Sequence, residues 1–141
     1  MARDPLPPIA AVVSFIDCIN RGDVDALAEL MTADHRLIVH VEPPLIGRAQ
    51  NVEAWKGYMT AFPRYVIYPQ HVVVDGPRVA VLGSTTGSHL GLPDEEERRL
   101  GVIWLADVTD GALSRWQIVA DTPLARAEAG LPGPGAGLTP G

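Results

Sequence analysis

The sequence is poor in basic residues and in long hydrophobic runs. Lys and Arg total 11 of 141 residues against 17 Asp and Glu, and basic residues form no run longer than Arg98-Arg99. The net charge of −6 argues against binding to nucleic acid or to an anionic membrane, because both need basic surfaces. No apolar run approaches the roughly 20 residues that cross a bilayer. We therefore expect no nucleic-acid partner and no membrane partner.

Cysteine and the short motifs of common cofactors are also scarce. The single Cys18 cannot form an internal disulfide, which fits a reducing compartment. We expect a cytoplasmic protein in which Cys18 is a buried thiol on a helix. The histidines lack the spacing of a zinc site, and HExxH, P-loop, GxGxxG and GxSxG motifs are missing from the sequence. The sequence therefore predicts no metal site and no cofactor.

Helical patterns fill the N-terminal part of the chain. Apolar residues recur at three- and four-residue spacing over residues 9–19, and Gly22 is suited to end that helix. Asp23 can cap a second, short helix. A third helix is stopped by Pro63. Its apolar residues are Val52, Trp55, Met59 and Phe62.

The rest of the chain has the pattern of β-strands. We predict strands over residues 37–41, 65–74, 79–89, 100–108 and 112–120. Asp110-Gly111 is a strong signal for a two-residue hairpin. Helices followed by a run of strands favour an α+β fold over a parallel α/β sheet. Two further segments are expected at the surface: His35-Arg36 at the start of the first strand, and the acidic loop 94–97.

The segment 102–106 is apolar on both faces of its strand. Both faces must then be covered, and helices can cover only one of them. We expect a partner subunit on the second face, and therefore a homodimer. Residues 131–141 are rich in Pro and Gly with little to bury, so we expect a disordered tail there. The predicted organisation is an arm over 1–8, one folded domain over 9–125 and a partly disordered tail over 126–141.

Motifs at both ends of the predicted domain resemble one known family. They are Asn20–Leu27, Leu30–His35, Pro43–Arg48 and, late in the chain, Asp110–Trp116. In this order and length they resemble the SnoaL-like polyketide cyclases of the NTF2-like superfamily. The resemblance implies an NTF2-like, cystatin-like cone in which three N-terminal helices pack on a curved, mostly antiparallel sheet and enclose a pocket. Members of the family commonly dimerise through the sheet, in agreement with the expected homodimer.

Three ionisable residues match the catalytic motifs of these cyclases. His89 lies in a Thr-Gly-x-His-x-Gly run over 86–91, and His40 shortly precedes Glu42-Pro43. Asp121 follows a late Trp, where the family has the base that removes a proton α to a carbonyl. The resemblance implies Asp121 as base, with His89 and His40 as hydrogen-bond donors or proton carriers. The pocket wall is predicted from Phe15, Trp55, Tyr58, Met59, Trp104 and Trp116.

Structural roles remain open for all three ionisable residues. Strand alternation places His40 and Asp121 on the faces opposite to their apolar neighbours, away from a pocket on the apolar side. His89, at the end of its predicted strand, can simply bond loop backbone. If the residues converge, the predicted function is acid–base catalysis without a cofactor, by aldol-type cyclisation, isomerisation or dehydration. Its substrate would be a small apolar carbonyl metabolite, such as a polyketide.

The alternative is a module that binds a small apolar metabolite without catalysis. An enzyme needs at least two titratable groups that converge on one cavity, whereas a binding module needs only apolar walls. Ketosteroid-isomerase chemistry is not expected, because an ungapped alignment puts that enzyme's polar residues at Phe15, Val39 and near Ile103.

Overall fold

The computed structural model describes residues 5–133, in which helices dominate the first half and strands the second. The helices are α1 (Pro8–Arg21), α2 (Val24–Glu29), α3 (Arg48–Ala61), α4 (Asp94–Glu97) and α5 (Pro123–Ala129). The strands are β1 (Met31–Val39), β2 (Leu45–Ile46), β3 (Val66–Asp75), β4 (Arg78–Thr86), β5 (Val102–Thr109) and β6 (Ala112–Ala120). Across residues 5–133, every helix is too short or too polar to cross a membrane.

The predicted helix ends are confirmed by local hydrogen bonds. Gly22 adopts a left-handed φ of 67° after α1, and its N–H bonds the last carbonyls of the helix. The Asp23 carboxylate accepts the Ala26 N–H at 3.1 Å and so caps α2. Helix α3 ends at Ala61, two residues before Pro63.

The strands form one six-stranded sheet in the order β2-β1-β6-β5-β4-β3. All neighbouring strands are antiparallel except β1 and β6, which are parallel. The hairpin predicted at Asp110-Gly111 is confirmed, since both residues have positive φ, 51° and 81°. The sheet therefore joins the N-terminal helical part to the late hairpin through the β1–β6 pair.

The inner face of the sheet packs on α1 and α3 through large aromatic side chains. Phe15 of α1 lies 5.0 Å from Trp116 between ring centroids, and Trp116 stacks on Trp104 at 6.2 Å. The predicted pocket-wall residues Phe15, Trp55, Trp104 and Trp116 are buried, whereas Tyr58 and Met59 are partly buried against the same cluster. The predicted wall is thus the main hydrophobic core.

The outer face of the sheet is covered in part by the chain's own C-terminal helix. Helix α5 and Leu131 pack over Ile103 of β5, together with Ala80 and Leu82 of β4. Part of the cover that we expected from a partner subunit is therefore supplied by the same chain, and the homodimer stays a prediction. The tail was expected to bury little, but Leu131 is only 6% exposed. The remaining tail residues 134–141 lie outside the described residues.

The first strand differs most from its predicted extent of 37–41. It begins at Met31, directly after α2, and ends at Val39. His40 is therefore beyond the strand, in an exposed turn with φ 51°. His35, expected at the surface, is 0% exposed because alternation puts it on the inward face with Leu37.

His35 joins β1 to β6 where their pairing is irregular. The register shifts between Met31 and Arg36, so the intervening residues of β1 lack regular partners on β6. The His35 ring bonds the Leu113 carbonyl through Nδ1 at 2.6 Å. A carbonyl only accepts, so Nδ1 carries the proton and the neutral ring has its lone pair on Nε2. Burial is the main cause that lowers the pKa of His35 below its ordinary 6.5.

We predict that His35 makes the protein less stable as the pH falls. Its pKa is lowered in the folded state, so the unfolded chain takes up the proton first, and stability is lost below about pH 6.5. His35→Gln retains an N–H donor but cannot titrate, so its free energy of unfolding should vary less between pH 7 and 5. Urea unfolding measures both slopes, and His40→Gln is the matched control. Equal slopes in the wild type and His35→Gln would contradict the assignment, as would an NMR titration that gives His35 an ordinary pKa.

We also predict that α5 and Leu131 contribute to the stability of the domain. Leu131→Ala should lower the free energy of unfolding by about 2–3 kcal/mol, the usual cost of a cavity in a core. Leu124 lies on the same helix and is 69% exposed, so Leu124→Ala should change it by under about 0.5 kcal/mol. Equal effects of the two substitutions would mean that the tail does not pack as described.

Candidate functional site

Polar side chains gather where α3, the end of β4 and α4 meet. This Glu97 cluster consists of Tyr58, Tyr65, Thr85, Ser88, His89 and Glu97. Tyr58 lies at its centre, and the Tyr65 and Phe62 rings pack on it at centroid distances of 5.1 and 4.8 Å. Aromatic walls therefore surround the polar atoms on the side of α3.

His89 is bound to Tyr58 twice. The His89 backbone N–H donates to the Tyr58 hydroxyl at 3.2 Å, and the same hydroxyl bonds Nδ1 of the ring at 3.0 Å. A phenol oxygen can accept two hydrogen bonds, so it can accept both of these N–H groups while its own proton bonds elsewhere. With Nδ1 protonated, the Nε2 lone pair of the exposed ring is free.

Glu97 is a buried carboxylate at the base of the cluster. It is 1% exposed, although we predicted residues 94–97 to be a solvated loop. The Thr85 hydroxyl donates to its Oε2, and the Ser88 N–H donates to its Oε1 at 3.4 Å. Ser88 directly precedes His89, so its hydrogen bond to Glu97 keeps the carboxylate near the segment that carries the imidazole.

The surroundings keep both phenols neutral over the physiological range. Burial is the largest cause that raises the pKa of Tyr58, and the nearby Glu97 carboxylate raises it further. The His89 backbone N–H opposes this rise. Burial also raises the pKa of Tyr65, with smaller contributions from Tyr58 and Glu97. Neither phenol is therefore ionised so that it could act as a base.

Gly87 allows the loop that carries His89 to follow its path. It has a φ of 70°, and a Cβ there would lie 2.4 Å from the Arg64 carbonyl oxygen. Only glycine fits such a close approach with this backbone conformation. The Thr-Gly-x-His order of the sequence is thus explained, because the glycine turns the chain and places His89 against Tyr58.

Asp121 and His40 are placed away from this cluster. The Asp121 carboxylate bonds the Arg126 guanidinium through both oxygens, at 2.6 and 2.7 Å, and lies on the outer side of the sheet. The bonds from Arg126 lower its pKa, which makes it a weak base. The structure therefore does not bring the predicted catalytic residues together. Of His40, His89 and Asp121, only His89 contacts a titratable side chain of α3, that of Tyr58.

Several buried polar atoms of the inner face lack a hydrogen-bond partner among the described residues. They are the indole N–H groups of Trp55, Trp104 and Trp116 and the Nε2 atom of His35. Within residues 5–133, no three His, Cys, Asp or Glu side chains lie close enough together to hold a metal ion.

A family model for the SnoaL-like domain matches residues 12–116. The chain belongs to the SnoaL-like domain family. No curated protein sequence is significantly similar to it.

Solved structures with the same fold cover most of the chain. A cystatin-fold protein from Novosphingobium aromaticivorans has a TM-score of 0.70 at 16% identity, over 81% of this chain and 98% of its own. A proposed polyketide cyclase from Sinorhizobium meliloti has a TM-score of 0.65 at 25% identity, over 81% and 95%. A proposed SnoaL-like polyketide cyclase from Jannaschia sp. CCS1 has a TM-score of 0.66 at 24% identity, over 91% and 96%. The predicted NTF2-like, cystatin-like α+β fold is confirmed.

Sequence reasoning missed two residues that the structure makes prominent. Strand alternation, extended two residues before Leu37, would have placed His35 on the inward face. Glu97 gives no such signal, because it is the fourth of four consecutive acidic residues and its burial depends on where α4 packs against β4.

We predict that Tyr58 fixes the tautomer of the His89 ring. In the wild type, ¹⁵N NMR of labelled histidine above the imidazole pKa should show a protonated Nδ1 for His89. Tyr58→Phe removes the acceptor and should shift the ring towards the Nε2–H tautomer. Tyr68→Phe is the control, since that hydroxyl bonds Thr86 instead. An Nε2–H tautomer in the wild type would contradict the arrangement.

Proposed function

We propose that this SnoaL-like protein is an acid–base enzyme for small carbonyl compounds and that His89 is its proton carrier. The observation that supports this most is the pair of hydrogen bonds between His89 and Tyr58, beside the buried Glu97 carboxylate. The arrangement has three parts of a proton-transfer site: a base, a group that orients it and a nearby charge. Asp121, the base that the resemblance implied, has no part in the proposal.

The proposed reaction begins when Nε2 of His89 removes a proton α to the substrate carbonyl. Tyr58 accepts Nδ1–H and so holds the lone pair of Nε2 towards the substrate. The Glu97 carboxylate accepts the N–H of the preceding Ser88, and its negative charge favours the imidazolium that forms. Return of the proton to another carbon completes an isomerisation. Alternatively, the enolate attacks a second carbonyl of the same substrate, and the His89 imidazolium returns its proton to the alkoxide that forms, which completes an aldol-type closure.

General acid–base catalysis of this kind accounts for a rate increase of about 10²–10⁴. That range suits substrates whose α-protons are already acidic, such as polyketide-like 1,3-dicarbonyl compounds. The proposed cyclases with which the chain shares its fold support the same substrate class. Cytoplasmic location and homodimerisation remain part of this proposal.

A second candidate function is the binding of an apolar metabolite without turnover. It is favoured by the aromatic inner face, where the indole N–H groups of Trp55, Trp104 and Trp116 have no partner among the described residues. A binding protein could use these donors without any help from His89.

We predict that His89→Asn lowers catalysed proton exchange by about 10²–10⁴, the range for loss of a general base. The assay follows deuterium uptake at the α-carbon of substituted acetophenones and ethyl 2-methylacetoacetate, by NMR in D₂O. His71→Asn is the matched control, because His71 is an exposed histidine of β3. Its exchange rate should equal that of the wild type.

The result also separates the two functions. Exchange that His89→Asn abolishes supports the enzyme. Saturable binding of these ketones with no exchange above the buffer rate would contradict it and support the binding module. Equal exchange in His89→Asn and His71→Asn would remove His89 from the mechanism.

A further inference from the structure

We propose that a small pocket on the outer face of the sheet binds an oxyanion, a phosphate or carboxylate group. The pocket has a volume of about 170 Å³ and is separate from the Glu97 cluster. It lies between β4, the segment 98–101 after α4, and the Asp121–Arg126 pair. We call it the Arg98–Arg99 pocket.

The charge of the pocket is opposite to that of the protein. Arg98, Arg99 and Arg126 line it against a single carboxylate, that of Asp121, although the chain as a whole has a net charge of −6. The acidic residues of the preceding helix, Glu95 and Glu96, are not among its lining residues. Guanidinium groups suit this ligand class, because their planar N–H donors match the oxygens of carboxylate and phosphate.

Two of the three guanidinium groups are without a carboxylate partner among the described residues. Arg98 lies over the Tyr68 ring, 4.1 Å from its centroid, and neither Arg98 nor Arg99 has an ion pair within residues 5–133. Stacking on a ring positions a guanidinium and leaves the N–H donors at its edge free. Arg126 differs, because its guanidinium already donates hydrogen bonds to the Asp121 carboxylate and the Pro132 carbonyl.

A buried hydroxyl group provides independent evidence for a ligand. Ser84 is 1% exposed and lines the pocket, and its Oγ has no hydrogen-bond partner among the described residues. Buried hydroxyls nearly always have a partner, because leaving them unpaired is costly. An oxyanion in the pocket would accept a hydrogen bond from the Ser84 hydroxyl.

An irregularity of β3 adds a further polar group. The pairing of β3 with β4 shifts between Pro69 and His71, which leaves Gln70 as the extra residue of a bulge. Bulges re-aim side chains and are frequent beside binding sites. Gln70 lines the pocket, so its amide can donate to the same anion.

The test is a ¹H–¹⁵N NMR titration of the full chain with sodium phosphate and, separately, with sodium acetate. Sodium chloride keeps the ionic strength constant. We expect saturable shifts at residues 83–84 and 98–101 with at least one of the two anions. Saturation by phosphate alone identifies a phosphate site, and saturation by acetate alone identifies a carboxylate site.

Substitutions then test the assigned groups. Arg99→Gln should weaken binding about tenfold or more and Ser84→Ala about threefold or more, as expected for hydrogen bonds to a charged group. Arg78→Gln is the matched control, because it removes the same charge from an exposed position at the other end of β4. Its affinity should stay within about twofold of the wild type.

The proposal is overturned if neither anion gives saturable shifts beyond those with chloride. It is also overturned if Arg99→Gln and Arg78→Gln weaken binding equally, because the effect would then be one of overall charge. Unchanged affinity in Ser84→Ala would remove the hydroxyl from the site and with it the main evidence for a built pocket.

Discussion

The single sheet has apolar side chains on both of its faces, and the need to cover both determines the rest of the structure. On the inner face, Trp104 and Trp116 pack against α1 through Phe15. On the outer face, Ile103 packs under Leu131 and α5. The Glu97 cluster lies where the inner helices meet the end of β4. The Arg98–Arg99 pocket lies beside α5 on the other face.

Local patterns predicted α1, α2 and α3, the Asp110-Gly111 hairpin and β6, because caps, glycines and alternation act over a few residues. The same patterns could not place side chains that depend on distant contacts. Glu97 is buried because α4 packs on β4, and Asp121 is neutralised by Arg126 on a helix that we did not predict. His35 was missed for a simpler reason, since the predicted strand began too late.

The residues that carry the proposed chemistry differ from those that the family motifs imply. The Thr-Gly-x-His run predicted His89 as a hydrogen-bond donor or proton carrier, which stays a prediction, and the structure places Tyr58 and Glu97 near it. The late Asp matches the family pattern in sequence, but its strong ion pair gives it a structural role in holding α5. Membership of the SnoaL-like family therefore does not by itself transfer the catalytic aspartate.

The central claim is that substrates bind beside His89. The chain has four histidines, which report on four places: His35 in the core, His40 in an exposed turn, His71 on β3 and His89 in the Glu97 cluster. The most direct measurement follows their ring signals by NMR during titration with 2-methyl-1,3-cyclohexanedione. We predict a saturable shift of His89 with His40 and His71 unchanged. Saturable binding that leaves His89 unchanged would contradict the account.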